Sequence, residues 1–235
     1  MNNKRNAFLG LVIALFVPIG FWLYYNVFLG LPQPLPKLFY PIIKDTSYQK
    51  NGKTVYDSVK VFHTIADFKL VNQNGDTITQ DSFKNKIYVA NFFFCSCATI
   101  CPTMTKNLTK IQHEYERVKY VRLLSHTVDP EHDNINRMKT YMQKMGANEK
   151  SWDFVTGSRE QLYNLCKNSY FLAVQADGPE SFDHSEKLVL VDNHKIIRGM
   201  YDGTDTVAVE QLRKDMISLL KELAKDVNEL KPPKD

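Results

Sequence analysis

The segment Cys97-Ala-Thr-Ile-Cys101-Pro102 sets two thiols four residues apart, where a strongly apolar run gives way to a helical pattern. Pro102 suits the first helical position, because its missing N–H would be unpaired there and its ring presets the backbone angle. A helix predicted to start at Pro102 brings the partial positive charge of its amino terminus up to both sulfurs. That lowers a thiol pKa and favours thiolate, the form that attacks disulfides and binds soft metals. The spacing alone leaves two chemistries open: dithiol redox exchange, or capture of a thiophilic ion such as Cu(I). A static disulfide is a third reading. The strand-to-helix placement argues against it, since a staple usually joins more distant segments.

The remaining cysteines and histidines divide unevenly. Cys95 would point to the same side as Cys97 on an extended strand. It could be a third thiol near the pair or a disulfide partner, but a small buried hydrophobe at the end of a phenylalanine-rich strand is the favoured reading. Cys166 falls on the apolar stripe of its helix and is expected in the core. The row Met138, Met142, Met145 has helical spacing and reads as packing. His113 sits opposite an apolar stripe and should be solvated, His194 occupies a turn, and His63 says little. His126 ends a predicted central strand and stays open as an outer partner or ligand.

The thiols need a scaffold, and the pattern around them supplies one. Lys86 to Phe94 (KIYVANFFF) is a nearly continuous β-branched and aromatic run, the mark of a strand buried on both faces. Met104, Leu108, Ile111 and Tyr115 form the stripe of the helix that follows. Upstream, residues 65–79 carry Asn74-Gly75 between two strand-like runs, a hairpin signal. Downstream come a strand over Val121–Val128 and a helix over Asn134–Met145. A capping box at Ser158-Arg-Glu-Gln161 opens another helix, faced by Leu162, Leu165 and Cys166. Lys187 to Tyr201 reads as a hairpin turning at Asp192-Asn193-His194. A last helix spans about 206–224 on Val209, Leu212, Met216, Leu219 and Leu223. Such alternation predicts an α/β three-layer domain with a mixed sheet.

The whole chain has 235 residues, 43% of them hydrophobic and 24% charged, which excludes disorder and low complexity and suits one domain with appendages. Residues 6–36 contain no Asp, Glu, Lys, Arg or His, and Ala7–Leu31 is almost wholly apolar, long enough for a transmembrane anchor. Lys4 and Arg5 before it predict a cytoplasmic tail (1–6) and an extracytoplasmic remainder. The run exceeds a signal-peptide core and no A-x-A-like site follows it, so an uncleaved anchor is the expectation. Pro32, Pro34, Pro36 and Pro41 favour extended chain, giving a stalk over 32–59. The domain should then occupy 60–225, with a flexible tail over 226–235. The net charge is +4; beyond Lys4 and Arg5 the balance is 28 basic against 26 acidic residues. A surplus that small gives no support for nucleic-acid binding.

FFFCSCATICPTM resembles the CxxxCP motif of the Sco/SenC family. Two further stretches resemble that family: HTVDPEHD (126–133), through Val128, Asp129, Pro130 and Asp133, and FDHS (182–185). The likeness covers roughly 60–222. It implies a thioredoxin-like fold and a copper site made by Cys97, Cys101 and His184. Two thiolates and an imidazole suit Cu(I), and can hold Cu(II) if a further ligand completes the site. The resemblance also implies a membrane-anchored copper chaperone without catalytic turnover. Such a protein receives copper from a donor or meets a reductant protein outside the cytoplasm, and loads the binuclear copper site of cytochrome c oxidase subunit II. The alternative is a thiol-disulfide oxidoreductase using Cys97 and Cys101 as its redox pair. Asp183 or Asp129 would orient His184. Cys95, Ala98 and His132 depart from the family pattern.

Overall fold

Every residue of Ile87–Phe93 (β5) is buried, as a strand covered on both faces requires. Its odd members, Ile87, Val89 and Phe93, join one hydrophobic cluster, and Tyr88, Ala90 and Phe92 join another. The computed structural model describes residues 2–24, 34–39, 42–172 and 186–229. Ile87–Phe93 is the centre of a sheet completed by Lys69–Asn72 (β3), Thr77–Thr79 (β4), Val121–Thr127 (β6), Trp152–Thr156 (β7), Lys187–Val191 (β8) and Ile197–Asp202 (β9). The strand order is β4-β3-β7-β6-β5-β8-β9. β5, β6 and β7 are parallel, and the flanking strands run antiparallel to their neighbours. The sheet is therefore mixed, as expected.

Helices Ile100–Tyr115 (α2), Ile135–Lys144 (α3) and Thr206–Glu229 (α5) cover one face. Met104, Leu108, Ile111, Met138, Met142, Leu212, Met216 and Leu219 pack there against Trp152 and Phe154. The short helix Arg159–Asn164 (α4) and the turn 165–169 close the other face with Leu162, Leu165, Cys166 and Tyr170. Ser158 caps α4 by accepting the Gln161 N–H, and Asn134 caps α3 through the Arg137 N–H.

Three features differ from expectation. α2 begins at Ile100 with Thr99 before it, so Pro102 is the third helical residue and Cys101 already lies inside the first turn. β7 has no counterpart in the sequence reading. Its Asp153 interrupts the apolar run, yet it is buried against Arg122 and accepts from Asn72 at 3.1 Å. Residues 42–61, assigned to the stalk up to 59, contain a hairpin of Ile42–Lys50 (β1) and Lys53–Val61 (β2). It turns at Asn51 and Gly52, both at positive φ (53° and 73°), the combination that matches the twist of paired strands.

The chain divides into two compact units at Pro34/Leu35. The first contains the helix Asn2–Tyr24 (α1), in which Ile13, Phe16, Val17, Phe21 and Trp22 are exposed. Among the described residues no helix is long and apolar enough to cross a membrane. The expected span over 7–31 is thus not reproduced, and its residues 25–31 lie outside the described ones. In the second unit, Arg198 is buried and pairs with Asp192 at 3.0 Å and Glu222 at 2.7 Å. It also donates to the carbonyls of Leu35 and Pro36, tying the start of that unit to β9 and α5.

Candidate functional site

The thiol turn hangs from the carboxyl end of β5, where open α/β sheets present their ligand crevices. The Cys97 N–H donates to the Phe94 carbonyl at 3.2 Å, closing a turn that lifts Cys95 and Ser96 off the strand. Cys95 is therefore a half-buried turn residue rather than an extension of the strand. Cys97 and Cys101 are both buried, and both sulfurs are unbridged. The Cys101 N–H donates to Cys97 Sγ at 3.3 Å.

Donors separate the two thiols. Burial pushes Cys97 up, but the N–H groups of Cys101, Thr99 and Ile100, with the Cys101 thiol, together hold it below the ordinary thiol value. Burial raises Cys101 well above that value, and donation to the Cys97 sulfur raises it further. The turn thus pairs a sulfur held toward thiolate with one held protonated. Cys95 is likewise raised, first by burial and then by the Asp133 carboxylate. Burial lifts the Tyr141 phenol, and charge on Cys101, Cys95 or Cys97 lifts it further, against the hydrogen bond with Thr105.

Asp133 fastens this turn to the neighbouring strand end. Its Oδ2 accepts from Thr127 Oγ1 at 2.6 Å and from the Cys95 N–H at 3.0 Å, and Arg137 Nε stands 3.7 Å from its Oδ1. Asp129, suggested as an orienting group, takes the His132 ring nitrogen at 2.7 Å. His184 and Asp183 lie outside the described residues, so the structure brings together Cys97 and Cys101 of the three expected ligands. Among the described residues no group of three or more His, Cys, Asp or Glu side chains is assembled for a metal ion.

His126 is resolved against a ligand role. It lies on the opposite face of the sheet from the thiols, stacked on Phe92 (centroids 4.7 Å apart) and edge-on to Phe68 and Tyr170. Burial drives its pKa down to about 3. Cys166 is core on that same face, and burial alone raises it to about 12. Met138 and Met142 are buried packing residues, while His113 and His194 are exposed, as expected.

A pocket of about 450 Å³ opens beside the pair, with Cys95 and Cys97 on one wall and α3 on the other. The sequence reading singled out neither Arg137 nor Lys144 of that helix. The polar side of α3, opposite its methionine row, was the signal available.

A mixed sheet with helices on both faces, and a cysteine pair where a central strand passes into a helix, define a thioredoxin-like thiol domain. The comparisons give the family. Residues 57–221 match the SCO1/SenC family model, and the chain belongs to that family. It is 27% identical over 170 residues to the SCO1 protein homolog of Bacillus subtilis (strain 168), covering 71% of this chain and 87% of that protein. Among solved structures it is similar to BsSco, described as a member of the Sco family of cytochrome c oxidase assembly proteins with a disulfide switch. That likeness has a TM-score of 0.62 and 26% identity, covering 68% of this chain and 95% of BsSco. ScoI of Bradyrhizobium japonicum, solved with copper bound, shares the fold at a TM-score of 0.56 and 21% identity, covering 66% of this chain and 99% of that one.

Proposed function

We propose that the chain is a membrane-anchored copper chaperone, acting outside the cytoplasm, that passes copper to the binuclear site of cytochrome c oxidase subunit II during assembly. The observation that carries the reading is the Cys97–Cys101 turn. It provides two buried soft sulfurs, of which the Cys97 sulfur borders a pocket and is polarised toward thiolate by three backbone N–H groups. That donor set fits Cu(I), which soft thiolates select, and among the described residues the four closing ligands of a structural zinc site are not assembled. His184 is the third ligand in this account. It sits in the FDHS segment just before β8, the antiparallel neighbour of β5. A site with few ligands at a pocket mouth suits release by ligand exchange to incoming thiols. The apolar run 7–31 supports the anchor, and Lys4 and Arg5 support its orientation.

The test is copper retained by the reduced full chain after dialysis. Wild type is expected to hold stoichiometric copper, and His184→Ala to lose it while its dithiol still oxidises and reduces normally. Equal retention by the variant would remove His184 from the site. A second reading, thiol-disulfide exchange on exported thiols, is favoured by the asymmetry of the pair, with Cys97 attacking and Cys101 resolving. Disulfide turnover by a chain that never retains Cu(I) would select it.

A further inference from the structure

The pocket beside Cys97 has a composition that neither copper nor a bare dithiol explains. Arg137 and Lys144 stand on its α3 wall together with Asn136 and Thr140, and Met145 and Pro102 supply apolar surface. Among the described residues that line it, none is acidic. Arg137 leans toward Asp133 at 3.7 Å but keeps 44% of its side chain exposed, so much of its guanidinium remains available. No ion pair engages Lys144 among the described residues. A volume near 450 Å³ lies within the range of small-molecule sites and exceeds what a metal ion needs. Cationic donors, amide and hydroxyl groups and a thiol at one end match a compact molecule with carboxylates at one end and sulfur at the other.

We propose that this pocket binds a low-molecular-weight thiol or disulfide bearing carboxylates, of the size of a short peptide, with its sulfur presented to Cys97. The proposal rests on reading Cys97 and Cys101 as the working pair. With a small disulfide RSSR, the Cys97 thiolate attacks one sulfur, forming a Cys97–SR bond and expelling RS⁻. Cys101, deprotonated as it reacts, then displaces the second RS⁻ and closes the Cys97–Cys101 disulfide. The dithiol loses two electrons and two protons, and the two small thiols gain them. In reverse, two such thiols reduce the oxidised pair and return it to the metal-binding form. Arg137 and Lys144 hold the carboxylates, Arg137 through its planar fork and Lys144 as a point charge.

The experiment uses the reduced full chain in detergent carrying Cys101→Ser, which traps the mixed disulfide, with Cys97 adducts followed by peptide mass spectrometry. The probes are glutathione disulfide (anionic), 2-hydroxyethyl disulfide (neutral) and cystamine (cationic). Glutathione disulfide is expected to react faster than its intrinsic reactivity predicts from the neutral probe, and cystamine slower. Arg137→Gln with Lys144→Gln should lower the anionic-to-neutral rate ratio about fivefold, the size expected of two solvent-screened charge pairs. Raised salt should lower the wild-type ratio in the same direction. Lys144→Gln alone leaves the Arg137–Asp133 pair in place and should give part of the loss, separating pocket charge from any change in fold. A ratio unmoved by both variants overturns the pocket assignment while leaving the thiol pair intact. Failure of all three probes to modify Cys97 overturns the pair reading as well.

Discussion

Each face of the sheet buries cysteine, and Cys97 on one face and Cys166 on the other are treated in opposite ways. On the α2 face, Cys97 is capped by backbone N–H groups and held below its ordinary pKa in spite of burial. On the α4 face, Cys166 has burial and no compensating donor, and it rises to about 12. His126 belongs to the second environment: its Nε2 has no hydrogen-bond partner among the described residues, and burial keeps the ring neutral. Burial by itself silences a titratable group; preorganised donors at a strand-to-helix turn activate one. Among the described residues, the thiol held toward thiolate accordingly lies at one end of one face.

Cysteine reactivity tests that contrast with the largest expected effect. Alkylation by iodoacetamide needs an accessible thiolate, so near neutral pH Cys97 should react orders of magnitude faster than the buried Cys166, whose thiol is raised to about 12, in the folded chain. Quantitative peptide mass spectrometry across pH 6–10 reads the difference. Comparable rates at the two positions would mean that the N–H groups of the turn do not set the contrast.

A smaller effect follows from His126. Its pKa falls from 6.5 in the unfolded chain to about 3 in the fold. Between those values the unfolded state binds the extra proton, so this residue's contribution to stability is intact above pH 6.5 and is lost as pH falls toward about 3. The slope approaches ~1.4 kcal/mol per pH unit well inside that window. Chemical denaturation of wild type and His126→Phe between pH 7 and 4 checks it: the variant should lose less stability on acidification. Parallel curves would place the acid sensitivity elsewhere.

The thiol pair was legible in the sequence because its signals are local: a buried apolar run, two cysteines and a proline. Local rules likewise located the Asn74-Gly75 turn and the Ser158 cap. What escaped depends on tertiary partners. Trp152–Thr156 reads as a strand only once Arg122 and Asn72 are known to satisfy Asp153. The 42–61 hairpin was hidden behind the proline-rich stretch before it, although Lys53–Val61 alternates weakly. Asp133 stands within a recognisable motif, but its grip on the Cys95 N–H depends on the turn that lifts Cys95 from the strand. His184, set by resemblance, lies outside the described residues, so one of the three proposed ligands rests on the sequence.

Cu(I) uptake by the reduced full chain, titrated against a competing chelator, tests the central claim most directly when Cys97→Ser is run beside Cys166→Ser. Cys166→Ser should take up stoichiometric copper like the parent. Cys97→Ser should lose more than the roughly 10–100-fold in affinity that removal of an outer partner costs. Wild-type uptake by Cys97→Ser would contradict the account, because the activated sulfur would then not be holding the metal.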